Sequence, residues 1–258
     1  LYRCNKCRKS TTLKSGTIFQ NSNQPLTMWF QCIYFICQSK HGISALELMR
    51  KLGIKKHDHA LAMKHKVMQA MLEREDGKQL SERIEVDDAF IGGENPGGKR
   101  GRGSENKIPF VAAVSTIGSG NPSQLKLQVV KSHDTESLVK FFKKHLDKQN
   151  SKVCSDGLAC FKGACEELGI EHERIVVSQQ EQRSVDIKSF TWVNTALGNL
   201  KKFINGTHQA ITGSYVQRYL AEFQYRFNRR FDLKSIFNRL LFACVTGTYL
   251  NVHQLFTS

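Results

Sequence analysis

The pattern of apolar and polar residues begins with a helical part and continues with alternating strands and helices. Apolar residues recur at helical spacing after Pro25, over residues 45–52 and over residues 56–73. Pro25 suits the start of a helix, and Ser44 with Glu47 forms a capping box before the second one. Consecutive helices with a basic third member are typical of a helix-turn-helix outline, although an ordinary three-helix bundle with solvated lysines fits equally well.

From residue 80 onward, the pattern predicts an α/β layer structure. Short apolar runs predict strands at 83–91, 109–117, 124–131, 151–155 and 173–177. Amphipathic stretches predict helices at 135–147, 158–168, 193–204, 213–228 and 233–247. Three consecutive strands, followed by alternating helices and strands, indicate one mixed α/β domain over residues 80–250.

The first 24 residues are rich in Cys, Lys and Ser, which is typical of a small module held together by a metal. Cys4 and Cys7 have the spacing of half a zinc ribbon, but a structural zinc site needs four ligands and no second pair follows. The first residue is Leu, so a missing upstream segment is expected to hold the other pair. We therefore predict a partial zinc ribbon over residues 1–24 and a helix-turn-helix-like domain over 25–76, with Zn²⁺ expected in the complete ribbon.

Charge favours a polyanionic partner. The 258 residues include 38 Lys and Arg against 23 Asp and Glu, which gives a formal net charge of +15. A basic metabolic enzyme is the alternative, but the chain has no glycine-rich nucleotide fingerprint. We expect the basic segment 92–107 to grip phosphates, unless it is a plain solvated loop. The cationic candidates for DNA contact are Lys55, Lys56, Lys64, Lys66, Lys99, Arg100, Arg102, Lys202, Arg229 and Arg230.

The other six cysteines lie in apolar or helical surroundings. This placement is typical of small buried hydrophobic residues in a reducing compartment, rather than of a disulfide framework. No apolar stretch approaches the length of a membrane span, so we expect no membrane partner.

The strongest candidate chemistry lies at two strand ends. Asp87 and Asp88 lie within an apolar strand, and Asp156 follows a second one. An unpaired buried carboxylate is costly, and a divalent cation would remove that cost. Alternation places Asp87 and Asp88 on opposite faces, so only one is expected to face a site, and the pattern does not choose between them. Asp156 also suits an ordinary turn, since Ser-Asp-Gly favours one.

A third ligand has to come from a later helix. The stretch 192–203 has no acidic residue, but Asn199 offers an amide oxygen. Lys201 and Lys202 offer cations for DNA phosphates. A plain amphipathic helix is the alternative.

The order of motifs resembles that of bacterial insertion-sequence transposases of the DDE superfamily, in the group in which a zinc ribbon precedes an ISXO-type transposase domain. The resemblance spans nearly the whole chain. It rests on the CxxC pair, the helix-turn-helix-like segment, IEVDDAFIGG, GGKRGRGSENK, PFVAAVS, VCSDGLACF, TWVNTALGNLKKFINGTHQAI and YLAEFQYRFNRRF.

The resemblance implies a ribonuclease-H-like catalytic domain that cuts DNA at element ends and joins the freed 3′-hydroxyl to target DNA. It implies two Mg²⁺ or Mn²⁺ ions, with Asp87, Asp156 and Asn199 as ligands and Lys201 as a further catalytic residue. His208 corresponds to a family histidine near the site and is a candidate for DNA contact. Asn199 stands where many relatives have Glu, so one negative charge fewer is expected.

The implied partners are the terminal inverted repeats and the target DNA, in the bacterial cytoplasm. Paired-end assembly would suit a homodimer. Two alternatives remain at this point: a catalytically inactive DNA-binding protein derived from a transposase, and a nuclease of the same fold that hydrolyses DNA without joining it.

Overall fold

The chain forms two compact units. The computed structural model describes residues 2–92, 107–118, 120–175, 190–208 and 211–256. Residues 1–76 and 229–258 form a helical unit, and residues 77–228 form a sheet unit. The sheet unit thus ends before the predicted boundary at residue 250. The physical reason is that Arg229 is buried and its Nη2 lies 2.7 Å from Oε1 of the buried Glu75, inside the helical unit.

The elements agree with the predicted ones to within a few residues at most ends. The strands are β1 (Tyr2–Arg3), β2 (Ser10–Thr11), β3 (Leu80–Ile91), β4 (Ile108–Thr116), β5 (Pro122–Val129), β6 (Leu146–Ser155) and β7 (Glu171–Arg174). The helices are α1 (Leu26–Gln38), α2 (Ala45–Leu52), α3 (His57–Glu75), α4 (Thr135–His145), α5 (Ala159–Leu168), α6 (Thr191–Thr207), α7 (Val216–Phe227), α8 (Ile236–Thr246) and α9 (Val252–Phe256). No helix in these ranges combines the length and apolar character needed to cross a bilayer.

The helical unit follows the capping signals in the sequence. The Ser44 hydroxyl accepts a hydrogen bond from the Glu47 N–H at 3.1 Å and so caps α2. Gly53 ends α2 in the left-handed conformation, with φ of 65°. Behind these helices lies an apolar core that includes Trp29, Ile33 and Met68.

The sheet unit contains a five-stranded mixed sheet, which confirms the α/β class. The strand order is β5-β4-β3-β6-β7, with β3, β4 and β5 antiparallel and β6 and β7 parallel to β3. One face carries Ile84 and Val86 and packs against α4 and α5 through a core that includes Phe142 and Phe161. Because strand side chains alternate, Glu85 lies on the opposite face, where it contacts the start of α6.

Helix α7 covers the free edge of β5 with amide side chains. Gln217, Gln224 and the C-cap residue Asn228 are spaced by seven and four positions, so they lie on one face of this helix. They accept hydrogen bonds from alternate backbone N–H groups of β5: Asn228 from Leu125 (2.7 Å), Gln224 from Leu127 (2.9 Å) and Gln217 from Val129 (2.7 Å). An exposed strand edge invites pairing with another chain, so this arrangement protects the sheet.

We expect Gln224→Ala to lower the free energy of unfolding by about 1–3 kcal/mol, because it leaves a buried N–H of β5 without its acceptor. Urea denaturation measures this change. Gln149→Ala, at an exposed position of the same unit, is the matched control and should change stability little. Equal effects of the two substitutions would contradict a role for the amide in protecting the edge.

Candidate active site

The pairing of β3 with β6 positions two of the predicted carboxylates. Glu85 pairs with Cys154 in a parallel register, so two residues further along each strand Asp87 and Asp156 reach the same level. Gly157 turns the chain away immediately after Asp156, with φ of 93°, and an added Cβ there would collide with the Arg174 side chain. The register thus brings both residues to one edge of the sheet.

Three carboxylates converge at this edge. One oxygen each from Asp87, Asp88 and Asp156 lies within 4.8 Å of the other two. Strand alternation predicted that only one of Asp87 and Asp88 would face a site, and this prediction is wrong. The reason lies in the sheet edge: the pairing of β3 with β6 ends at Glu85, so side chains from either face of β3 can turn toward Asp156.

Burial and the neighbouring carboxylates together perturb Asp87. Burial raises its pKa to about 7, with further contributions from the negative charges of Asp156 and Asp88. The backbone N–H of Asp88, which donates to Asp87 Oδ1 at 2.9 Å, and the charge of Lys201 act in the opposite direction. A group of carboxylates that repel one another is suited to bind a cation.

Asp88 and Asp156 each have a protein partner as well. Asp88 Oδ2 lies 3.3 Å from Nδ1 of His133, and both side chains are 6% exposed. His133 Nε2 lies 3.1 Å from the Phe110 carbonyl oxygen. The His133 ring thus bridges the Asp88 carboxylate and the Phe110 carbonyl. Asp156 Oδ1 accepts from the Leu158 N–H at 3.2 Å, so the predicted turn is present alongside the cluster.

Helix α6 forms the facing wall of the site. The carboxylates open into a cleft of about 640 Å³ that Asn194, Leu197, Gly198 and Lys201 also line. These residues follow the spacing of one helix face. Lys201 lies close enough for its charge to lower the pKa of Asp87, as a cation beside the cluster would.

The predicted third ligand does not line the cleft in the part of the chain that the structure describes, and its role as a ligand stays a prediction. Asn199 is not among the residues lining the cleft, whereas Asn194 is. Asn199 follows Gly198 by one position, which rotates its side chain by about 100° around the helix axis. Counting back seven residues from Lys201 on the same face would have found Asn194 in the sequence.

Four predicted DNA contacts are buried, which corrects their assignment. Lys64 is 1% exposed and donates from Nζ to the Ile43 carbonyl at 2.7 Å. Lys66 is also buried and donates to the Ile18 carbonyl at 3.2 Å. Arg229 forms the buried ion pair described above. His208 is buried between the rings of Phe203 and Tyr219, with centroid distances of 5.1 and 4.8 Å.

The remaining cationic candidates differ in their surroundings. Lys55, Lys56 and Lys202 are exposed. Arg230 is half-buried, and its guanidinium lies 4.2 Å from the centroid of the Phe231 ring. The predicted contacts on the basic segment, which are Lys99, Arg100 and Arg102, lie outside the described residues.

Cys4 and Cys7 lie in the turn between β1 and β2, and both are exposed. Hydrogen bonds from the backbone N–H groups of Cys7 and Lys6 lower the pKa of Cys4, which favours the thiolate that binds metals. Zinc binding at this turn stays a prediction. Of the other six cysteines, five are buried and Cys160 is half-buried, in agreement with the expected packing role.

The comparison with protein families identifies the class of protein. The model of the ISXO2-like transposase domain family matches residues 79–228, which is more than half of the chain. The chain therefore belongs to this family. The matched range nearly coincides with the sheet unit and contains every residue of the carboxylate cleft.

Solved structures give weaker likenesses. One is a chain of the simian T-cell lymphotropic virus intasome in complex with PP2A regulatory subunit B56 gamma, with 14% identity, a TM-score of 0.33 and coverage of 69% of this chain and 63% of that one. Another is a chain of a pre-cleavage Mos1 transpososome, with 10% identity, a TM-score of 0.33 and coverage of 90% and 83%. A chain of the Mos1 strand transfer complex has 10% identity, a TM-score of 0.27 and coverage of 90% and 82%. TM-scores this low do not establish a shared fold, and no curated protein matches the chain.

The raised pKa of Asp87 gives a test in metal-free buffer. In the folded state Asp87 keeps its proton up to about pH 7, whereas its ordinary pKa is 3.8. The stability linked to this proton is fully present below the ordinary pKa of 3.8, which applies to the unfolded chain. It is lost as the pH rises through the folded-state pKa of about 7. The advantage of Asp87→Asn over wild type in the free energy of unfolding should therefore grow by on the order of 2 kcal/mol between about pH 5 and about pH 8.

Urea denaturation in the presence of a chelator at the two pH values measures this growth. Glu82→Gln, at an exposed position of the same strand, serves as the control for the change from acid to amide. A difference between Asp87→Asn and wild type that stays constant with pH would contradict the raised pKa.

Proposed function

We propose that the protein cleaves DNA at the ends of an insertion sequence and transfers the freed strands to target DNA. One observation carries this proposal: in a chain of the transposase family, Asp87, Asp88 and Asp156 converge in a cleft whose other wall presents Asn194 and Lys201. The mixed sheet with helices on both faces is consistent with a ribonuclease-H-like catalytic domain.

The donor set fits divalent Mg²⁺ or Mn²⁺. These ions prefer carboxylate and amide oxygens. A cation would offset the burial and the neighbouring negative charges that together raise the pKa of Asp87. Asp87 and Asp156 would hold two ions, and Asn194 takes the third position in place of Asn199. When bound, such ions activate the attacking water or 3′-hydroxyl and neutralise the leaving oxygen.

The protein's own side chains supply orientation and charge. Lys201 lies on the wall facing the carboxylates, where it would neutralise charge that develops on the scissile phosphate. His133 fixes Asp88 between the cluster and β4, through the contacts with Asp88 and the Phe110 carbonyl. Asn194 brings a neutral oxygen, so the site carries one charge fewer than a set with Glu in that position.

DNA recognition would belong to the helical unit. Lys55 and Lys56 are exposed at the start of α3, where a helix-turn-helix arrangement would contact the terminal inverted repeats. Lys202 would contact phosphates near the cleft. We further infer zinc binding at Cys4 and Cys7 in a complete ribbon, a homodimer that holds paired ends, and a location in the bacterial cytoplasm.

The activity itself is tested with pre-cleaved DNA taken from the two flanks of the gene, incubated with the protein and Mg²⁺ or Mn²⁺. Joined products that disappear in Asp87→Ala are the expected result. Metal-dependent cleavage without joining would identify a nuclease. Salt-sensitive DNA binding that is unchanged in Asp87→Ala, with no cleavage, would identify an inactive DNA-binding protein.

The assignment of Asn194 has a matched control on the same helix. We expect Asn194→Ala to weaken Mn²⁺ binding by about tenfold, because it removes an amide from the wall of the cleft that holds the carboxylates. Asn199→Ala makes the same chemical change outside the cleft and should leave the affinity unchanged. Isothermal titration calorimetry measures both, and the reverse ranking would restore Asn199 as the ligand.

The DNA-binding role of α3 is tested by the salt dependence of affinity. Replacing Lys55 and Lys56 together by Ala should reduce the slope of log affinity against log salt by about 2, since each lost phosphate contact contributes about 0.9. Thermal stability should change little, because both side chains are exposed. The control Lys64→Met removes a buried hydrogen bond instead, so it should alter stability and leave the slope unchanged.

A further inference from the structure

A buried carboxylate from the sheet caps the helix that faces the site. The residue that precedes α6, Phe190, has no side chain that caps the helix, and the first turn of α6 contains no acidic residue. Glu85 of β3 takes this role across the sheet. Its Oε2 accepts hydrogen bonds from the backbone N–H groups of Trp192 at 2.7 Å and Val193 at 3.0 Å. The start of a helix attracts negative charge, because its first N–H groups lack partners within the helix.

Glu85 is almost completely withdrawn from water, with 1% of its surface exposed. Its second oxygen, Oε1, accepts a hydrogen bond from Arg83 Nη1 at 2.9 Å. A buried carboxylate is tolerated when hydrogen bonds and an opposite charge replace its hydration. Both carboxylate oxygens of Glu85 thus accept hydrogen bonds within the sheet unit. Glu85 is therefore suited to fix the backbone at the start of α6.

The position of Glu85 couples the two walls of the cleft. It precedes Asp87 by two residues and lies on the same face of β3. Its partner Val193 directly precedes Asn194. One side chain therefore connects the strand that carries Asp87 to the helix turn that carries Asn194.

Two further contacts fix the same turn of α6. Trp192 Nε1 donates to the Gly120 carbonyl at 2.7 Å, between β4 and β5. Asn194 Nδ2 donates to the Phe190 carbonyl at 2.8 Å, which holds the amide against the helix backbone beside the cleft. Among these contacts, Glu85 supplies the only charged group.

We propose that Glu85 is a positioning residue, which sets the distance between Asp87 and Asn194 by capping α6. This inference rests on the proposed function for its consequence in metal binding. Glu85 acts through the helix backbone rather than by contact with substrate. Supporting groups of this kind typically change metal affinity by tenfold or more when removed.

The test compares Glu85→Ala and Glu85→Gln with wild type in two measurements: hydrogen exchange of peptides covering α6, and Mn²⁺ affinity by calorimetry. Glu85→Ala is expected to quicken exchange in the first turns of α6 by about tenfold or more, while α7 stays protected. The Mn²⁺ affinity should fall by about tenfold or more, although Asp87, Asp156 and Asn194 are intact. Glu85→Gln should be intermediate, because its amide oxygen still accepts from the helix but carries no charge.

Val139→Ala is the control for a general loss of stability, because Val139 is buried in the core on the opposite face of the sheet. An equal fall in Mn²⁺ affinity in this variant, at a matched loss of stability, would overturn the positioning role. Unchanged exchange of α6 in Glu85→Ala, or quickened exchange with unchanged affinity, would overturn it too. Failure of the wild type to bind Mn²⁺ would instead overturn the metal site of the proposed function, and the exchange measurement would still test the cap.

Discussion

The parallel pairing of β3 with β6 is the constraint on which the site depends. It brings Asp87 and Asp156 to the same level at the edge of a sheet whose interior is apolar. Gathering carboxylates in such surroundings is unfavourable, and the pKa of Asp87, raised to about 7, records that cost. A cation in the cleft would turn the unfavourable cluster into a favourable one.

Polar side chains, rather than apolar packing alone, determine how the helices of the sheet unit dock on their strands. The amide oxygens on α7 accept hydrogen bonds from backbone N–H groups at the free edge of β5. Glu85 accepts them from the first N–H groups of α6. Both arrangements use directional hydrogen bonds, which specify position along a strand in a way that apolar contacts do not. The docking of α6 in turn positions Asn194 and Lys201, which line the cleft.

The corrections share a physical origin. Charge predicted that Lys64 and Lys66 contact DNA, and the family resemblance implied the same for His208. Each of the three is instead buried against backbone carbonyls or aromatic rings. A lysine has a long apolar stem, so helical periodicity does not separate an exposed lysine from one whose amine bonds a buried carbonyl. Lys55 and Lys56 lie at the start of the same helix, α3, and are exposed. Local sequence therefore identified the exposed Lys55 and Lys56, but it did not separate them from the buried Lys64 and Lys66 of the same helix.

The sequence by itself determined the α/β class, the approximate bounds of most strands and helices, and the presence of candidate carboxylates at Asp87, Asp88 and Asp156. These features follow from local periodicity, capping residues and strand-end carboxylates, which act over a few residues. The tertiary structure alone decided that Asp88 joins the cluster, that Asn194 rather than Asn199 faces it, and that residues from Arg229 onward belong to the helical unit. The physical reason is that these outcomes depend on contacts between residues far apart in the sequence. They are the point where the pairing of β3 with β6 ends, the rotation of α6 about its axis, and the ion pair between Arg229 and Glu75.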